Sequence, residues 1–586
     1  MPNTQEHKTF DWKLVKRLSP YLRHHLLLLG LALLLLFGID LTDVLHPYLI
    51  KVGIDQHVAA KDLSGLARTC LLLGLVLVSN FVMFVGFNYT IQYLGQRLLF
   101  DLRLDLFRKV LALSNEYFDT TAVGKTLTNV TNDVEAIREF ISEGIVSMLG
   151  DVVKLVFVVT AMLLLNIRLS LLAFTIIPIF VLATLAFRKS IRSGYRETRA
   201  ANSEINTSLV ETITGIKEIH LFNHKDESSR CFAGYNRHYL DAYLKVVHSY
   251  SLYFPVIEVV ANLSMIIILL YTHVAAGVVL EIGVIFAFFA YIHLFFKPLR
   301  QMAEKFNMFQ STMAATERIF RLLDREIVIM NHPQARRINS RFRGEITFDR
   351  VNFAYKPGTP VMKNVSFTIK PGEKVAIVGH TGSGKTTIIN LLNRLYDVQE
   401  GAVLIDGVNI KEYDVTDLRI QIATVPQDVF LFTGTIANNI SLYDPRISRQ
   451  AVEEAARQVY ADRYIQRLPQ QYDENILEEG KLLSVGQRQL LSFARAFVRQ
   501  PSIIFLDEAT ANIDSETESL IEAGVKNLLE GKTAIIIAHR LATIKSVDRI
   551  LVLHKGELVE QGTHHSLLRQ GGLYKQLYAM QALMSN

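Results

Sequence analysis

Residues 379–387 read Gly379-His380-Thr381-Gly382-Ser383-Gly384-Lys385-Thr386-Thr387. Glycine at the first, fourth and sixth places lets backbone amides come close to an anion. Lys385 follows with a positive charge, and Thr386 with a hydroxyl. That order suits a bound nucleoside triphosphate. The amides cradle the phosphates, Lys385 neutralises the β- and γ-phosphates, and Thr386 ligates Mg²⁺. A second set of reactive groups closes the run Ser502-Ile-Ile-Phe-Leu-Asp507-Glu508. Asp507 is placed to complete the Mg²⁺ shell, and Glu508 to orient and deprotonate a water for in-line attack. Alone, such a run reads more readily as a strand followed by a helix-capping acid. Beside a phosphate loop, the hydrolytic reading wins.

The elements that must hold these groups are legible around them. The apolar run 374–378 predicts a strand leading into the loop, and 388–395 predicts a helix leaving it. The helix N-terminus adds positive potential where the phosphates would sit. Strands begin at 344–355, GEITFDRVNFAY, after a polar linker at 325–343. Residues 344–586 are therefore expected to form an α/β P-loop nucleotide-binding domain.

Further motifs make the resemblance specific. Leu483-Ser484-Val485-Gly486-Gln487 is similar to the Leu-Ser-Gly-Gly-Gln signature of ABC ATPases. The whole chain resembles an ABC exporter half-transporter, of the bacterial multidrug-resistance-like kind. The resemblance implies that Tyr355 stacks on adenine and that Gln427 contacts Mg²⁺ and senses the γ-phosphate. It implies that Asp514 lies in the loop coupling two ATP sites and that His539 contacts the γ-phosphate. It also implies two ATPs sandwiched between two such chains. Each would lie between one chain's phosphate loop and the other's signature residues Ser484, Gly486 and Gln487. Turns near 117–125 and 211–218 fall where the family has its coupling helices. Two departures stand out: Val485 replaces the first glycine of the signature, and Asn512-Ile513 replaces the commoner Ala-Leu before Asp514. A branched side chain at 485 obstructs backbone approach to a phosphate. The affected site is the one on the partner's loop, whereas this chain's own loop and Glu508 look complete. That combination resembles the catalytic-glutamate subunit of a heterodimer.

The first half of the chain reads as membrane. Of 586 residues, 50% are apolar, and the apolar excess is concentrated before about residue 300. Crossing a bilayer takes about 20 mostly apolar helical residues. Six segments qualify, near 26–50, 67–88, 141–165, 169–187, 254–271 and 278–296. The loops after the second and fourth hold Arg97, Arg103, Arg108 and Lys109, then Arg188, Lys189, Arg192 and Arg196, and the N-terminal tail holds Lys13, Lys16 and Arg17. By the positive-inside rule the termini and both long loops are cytosolic. Helical spacing at 95–114 and 203–222 predicts spans that continue into the cytosol. Residues 302–323 read as a final amphipathic helix. The expected fold is an all-α six-helix transmembrane domain over 1–324 followed by the α/β ATPase domain. The cytoplasmic (inner) membrane is the expected location.

The net charge of +6 fits this loop bias better than nucleic-acid binding, and a soluble ABC ATPase acting on nucleic acid is excluded by the spans. The two cysteines, Cys70 and Cys231, form neither a disulfide framework nor a metal-ligand spacing. Charged residues at membrane depth face a partner or a cavity. Asp151 and Lys154, three apart, could pair on one helix face, and Asp40 and Asp43 near Pro47 are read as facing a water-filled cavity. Glu258 and His293 also lie inside spans. The expected activity is ATP-driven export of a hydrophobic or amphipathic compound, with a partner half-transporter and lipid around it. A homodimeric lipid flippase and, more remotely, a gated channel share the architecture.

Overall fold

The computed structural model describes residues 12–274, 281–477, 483–507, 515–537 and 544–584. The chain divides into two compact units. One comprises Met1–Lys109 with Gly124–Asp324; the other comprises Val110–Val123 with Arg325–Asn586.

The first unit is helical throughout its described residues. A short helix, Trp12–Arg23, precedes six apolar helices with the length and composition to cross a membrane. The first is Leu26–Val52, continued by a π-helical turn at Gly53–Val58. The second, Leu63–Ala112, has 50 residues. It is therefore about 75 Å long, more than twice the hydrocarbon thickness. The third is Val146–Leu165. The fourth starts as Ile167–Phe174, breaks, and resumes as Ile177–Thr214 with Pro178 in its first turn, where no backbone donor is needed. The fifth is Lys225–Val274 and the sixth Ile282–Leu323. Residues 302–323, expected as a separate helix, continue the sixth span without a break. The start of the expected sixth span, 278–280, lies outside the described residues. In the second helix the most apolar stretch has no buried residue, as befits a surface solvated by lipid.

The ionisable groups inside the spans correct two expectations. Asp151 and Lys154 do not pair with each other. Asp151 accepts from Lys305 of the sixth helix, which also donates to Ser147 at 2.6 Å. Lys154 reaches back to the first helix, 3.2 Å from Asp40 and 2.7 Å from Asp43. Asp40 therefore faces an ammonium group rather than a water-filled cavity, and is 1% exposed. Interhelical pairing costs less than leaving either charge towards lipid. Nearer the unit's end, Asp133, buried in the helix Asn132–Glu139, takes both nitrogens of a bidentate Arg318 at 2.9 and 2.5 Å.

The second unit is built on two sheets. The antiparallel sheet places Ile346–Phe353 between Met362–Ile369 and Glu400–Ile405, with Val408–Asn409 at its edge. The larger sheet contains β1 (Lys374–Val378), β2 (Ile422–Val425), β3 (Ile503–Asp507), β4 (Thr533–Ile537), β5 (Arg549–His554) and β6 (Glu557–Gly562), in the order β6-β5-β1-β4-β3-β2. Strands β1 to β5 pair in parallel, and β6 returns antiparallel to β5. Both faces of the parallel strands are covered, which is why β4, TAIII, is apolar at nearly every position. One core fills the space between the sheets around Phe348, Ile377 and Ile388; the other packs helices on the opposite face around Ile504, Phe493 and Tyr472. The polar linker at 325–343 is tied down: Arg336 exchanges backbone hydrogen bonds with Glu412 and Asp414, and the buried Arg394 donates to the Met330 carbonyl at 3.0 Å.

Candidate functional site

The parallel strands end together at their carboxyl edge. Ile537, the last residue of β4, lies opposite Ile377 of β1 and opposite Asp507 of β3. Val425, the last residue of β2, lies opposite Leu506. The register therefore brings to one edge the loop after β1, the carboxylate ending β3, and the exposed Gln427 two residues beyond β2. Crevices at this edge of parallel sheets are where such folds bind ligands.

The loop after β1 is shaped for an anion. A Cβ on Gly379 would lie 2.3 Å from the Leu553 carbonyl and 2.6 Å from Ser383 Oγ, so only glycine fits. Gly382 and Gly384 take φ of +79° and +102°, conformations glycine adopts without strain. Lys385 opens the helix Lys385–Leu392, and its buried ammonium donates to the carbonyls of Gly379 at 2.8 Å and His380 at 3.1 Å. That burial pushes its pKa below the ordinary lysine value, partly opposed by the charge of Asp507. Ser383 Oγ is buried without a hydrogen-bond partner. An orphan hydroxyl, a lysine folded onto its own loop and a glycine with no room for a side chain together fit a polyphosphate. Thr381 and Thr386 are exposed at the helix start, while Thr387 is buried.

Tyr355 stands beside this loop. Its phenol donates to Thr387 Oγ1 at 3.2 Å and accepts from Asn390 at 3.0 Å, and its ring meets Phe353 and Tyr396 edge-on at 4.9 and 5.0 Å. The ring is thus oriented but still exposed. The supporting Tyr396 carried no signal in the sequence.

Residues Ser484 to Gln487 form a helix start. Ser484 caps Val485–Val498, its hydroxyl accepting from the Gln487 amide at 3.2 Å, while the Gln487 side chain accepts from the Ser484 amide at 3.0 Å. This reciprocal capping box leaves the helix N-terminus pre-formed. Gly486 is buried, and Val485 is 45% exposed. Glu508, Asp514 and His539 lie outside the described residues; in the sequence Glu508 directly follows β3 and His539 comes two residues after β4. No group of three or more His, Cys, Asp or Glu side chains suited to a metal ion occurs among the described residues.

Residues 29–299 match the family described as ABC transporter transmembrane region, and residues 362–511 match the family described as ABC transporter. The chain is 35% identical over 577 residues to the ABC transporter ATP-binding protein YknV of Bacillus subtilis, covering 98% of this chain and 95% of that one. The chain belongs to the ABC transporter family. It is also 37% identical over 517 residues to the probable multidrug resistance ABC transporter ATP-binding/permease protein YheH of Bacillus subtilis, covering 87% of this chain and 76% of YheH. A putative multidrug export ATP-binding/permease protein of Staphylococcus aureus is 34% identical over 557 residues, 93% of this chain and 96% of that one. The solved structure of a bacterial Atm1-family ABC exporter with ATP bound superposes with a TM-score of 0.77 at 28% identity, covering 94% of this chain and 97% of that one. The transporter is thus a multi-pass membrane protein of the ABC exporter fold, binding ATP and coupling its hydrolysis to transport. Exporters of this fold act as dimers.

Proposed function

We propose that the transporter exports a hydrophobic or amphipathic compound, drug-like or lipid, from the cytosolic side of the cytoplasmic membrane by alternating access, as one half of a heterodimer. The termini and the ATPase unit lie in the cytosol in this reading. The observation that carries the heterodimer is the asymmetry of its two half-sites: an intact phosphate loop, and a signature helix that opens on a branched Val485.

Within this reading Gly379 to Thr387 bind the triphosphate, Lys385 turns from its own carbonyls to the β- and γ-phosphates, and Tyr355 stacks on adenine. Thr386, Gln427 and Asp507 would hold Mg²⁺, which neutralises charge on the phosphate oxygens. Glu508 takes a proton from the attacking water, with Gln427 and His539 placing the γ-phosphate. Ser484, Gly486 and Gln487 face the partner's nucleotide, and Asp514 joins the two sites. The partner is expected to bring an unaltered signature and a substituted catalytic glutamate.

Expression of this chain alone and with a neighbouring half-transporter tests the assembly. Poor assembly alone, rescued by the partner, is expected. A stable pair of identical chains with brisk, drug-stimulated ATPase activity would refute the heterodimer. Glu508→Gln in the assembled complex should keep ATP binding and lose turnover by roughly 10²–10⁴-fold, the usual worth of a positioned base.

A further inference from the structure

Tyr355 is carried on a loop, two residues past the end of the strand Ile346–Phe353. Its backbone is held there by Gln399. The Gln399 side-chain oxygen accepts from the Ala354 amide, and its side-chain nitrogen donates to the Ala354 carbonyl, both at 2.8 Å. The amide side chain thus stands in for a peptide group. It extends the pairing of Ile346–Phe353 with Glu400–Ile405 beyond the last matched pair, Asn352 and Glu400. Around the ring, Phe353 and Tyr396 stand nearly perpendicular, at 86° and 88°.

The phenol is held from another element, the helix Lys385–Leu392 that leaves the phosphate loop. Thr387 and Asn390 are three residues apart and share a face of that helix. The phenol donates to Thr387 Oγ1 at 3.2 Å and accepts from Asn390 Nδ2 at 3.0 Å. Its one hydrogen is thereby committed, and the polar end of the side chain is turned to the helix. Thr387 is buried and directly follows Thr386, and Lys385 opens the same turn. The helix that offers Lys385 and Thr386 to phosphates therefore also fixes the aromatic ring. Asn390 is half-buried, and its bond to Tyr355 is the one side-chain hydrogen bond it makes among the described residues. Asparagine is a poor helix former, so the helix itself gains nothing from it.

We infer that Asn390 is a positioning residue for the nucleotide base: through the Tyr355 phenol it holds the aromatic platform at a set place relative to the phosphate-binding Lys385 and Thr386. This rests on the reading above that Tyr355 stacks on adenine. Asn390 acts through Tyr355, so its effect is one of pre-organisation. A ring already ordered in the empty site need not be ordered on binding, and for one side chain that is worth a few-fold to about tenfold in affinity. The effect falls on the base alone, because Lys385 and the loop amides keep their places without it.

The test titrates the assembled transporter in lipid nanodiscs with ADP and with inorganic tripolyphosphate, each with Mg²⁺, by calorimetry. ADP keeps hydrolysis out of the measurement, and tripolyphosphate lacks the base. Asn390→Ala should weaken ADP binding about three- to tenfold and leave tripolyphosphate binding within about twofold. Tyr355→Phe keeps the ring and removes the phenol, so it should do the same. The double variant should lose no more than either single one, because both remove one bond. Alanine suits a helix better than asparagine, and the melting temperature reports whether each variant folds. Tyr355→Ala, which removes the platform, should weaken ADP binding by about tenfold. The inference is overturned if folded Asn390→Ala binds ADP normally while Tyr355→Ala does not. Equal weakening of ADP and tripolyphosphate would also overturn it, by placing Asn390 in the architecture of the phosphate loop, as would additive losses in the double variant. Undiminished ADP binding by Tyr355→Ala would instead remove the stacking reading, and this inference with it.

Discussion

The phenol of Tyr396 donates to the carboxylate of Asp119, 277 positions earlier in the chain. Tyr396 is a buried residue just beyond the phosphate-loop helix. Asp119 lies in the short helix Asn115–Thr120. Arg325 adds a second tie, its guanidinium 5.6 Å from the ring of Tyr117. Residues Val110–Val123 are thereby held in the ATPase unit although the chain on either side, through Lys109 and from Gly124, belongs to the helical unit. The second membrane helix runs to Ala112, so this segment is a covalent route from ATPase to membrane.

Tyr396→Phe keeps the ring and removes only the donor. ATP affinity should stay within about twofold, while drug-stimulated ATPase activity and transport fall together by about tenfold, the worth of a hydrogen bond to a charged group. Asp119→Asn should do less, since its amide oxygen still accepts. Burial, then the bond to Asp119, raises the Tyr396 pKa above its ordinary 10.0. The phenol therefore stays protonated, and the defect should be flat from about pH 6 to 9. Transport assays on reconstituted vesicles check both points. Normal stimulation in Tyr396→Phe would show that this bond carries no coupling.

Lys385 predicts a pH dependence of ATP binding. Burial lowers its pKa in the free loop. Phosphates beside it favour the ammonium and raise that pKa. Binding should therefore take up protons as pH approaches the ordinary lysine value of 10.5 from below, and affinity should fall with rising pH. Calorimetry in two buffers of different ionisation enthalpy at about pH 9 measures the uptake. Lys385→Ala should abolish it and weaken binding by about 10–100-fold, the range for losing a charged hydrogen-bond partner. Proton release in the wild type would contradict the arrangement.

The sequence made the ATPase edge legible because its chemistry is local. A glycine loop, a lysine and a threonine are consecutive, and apolar runs of five residues announce the strands that hold them. The six spans are equally plain, since each is a long apolar run. The ion pairs within them were not. Asp151 and Lys154 share a helix face by spacing, yet each found its partner on another helix, and spacing within one helix says nothing about which helix lies opposite. The same reason hid Tyr396, whose partner lies hundreds of positions away. Residues 302–323 were separable by composition alone; the backbone simply continues, because a change from apolar to amphipathic pattern does not break a helix.

Arg318 and Asp133 give a stability prediction. Asp133 is buried, whereas Arg318 is partly exposed. Removing the arginine strands a buried carboxylate. Arg318→Met should destabilise the helical unit by about 1–3 kcal/mol, the cost of leaving a buried acceptor unsatisfied. The double variant Arg318→Met with Asp133→Leu should recover much of that loss, because two apolar groups leave no orphan. Thermal inactivation of the purified complex compares the three proteins. Equal loss in single and double variants would place the effect in packing rather than charge.

Val485 offers the sharpest test of the assembly. It is the first residue of its helix, half-exposed, and the capping box that starts the helix uses Ser484 and Gln487 instead. Val485→Gly should therefore leave folding nearly intact, since glycine at a helix start costs less than the roughly 1 kcal/mol it costs in a helix interior. In the proposed arrangement, removing the branched side chain would free the helix N-terminus to approach the phosphate of the partner's nucleotide. In the proposed heterodimer, hydrolysis at the partner's site should rise about tenfold or more, as expected when backbone donors gain access to developing charge, once a partner proposed to lack the catalytic glutamate has it restored. Without that restoration the rise should be slight, because a water with no base still limits the step. Turnover is read as phosphate release with this chain carrying Glu508→Gln, which silences its own site. Unchanged turnover in the restored partner would show that Val485 does not obstruct the signature, and would remove the main reason for a second, different chain.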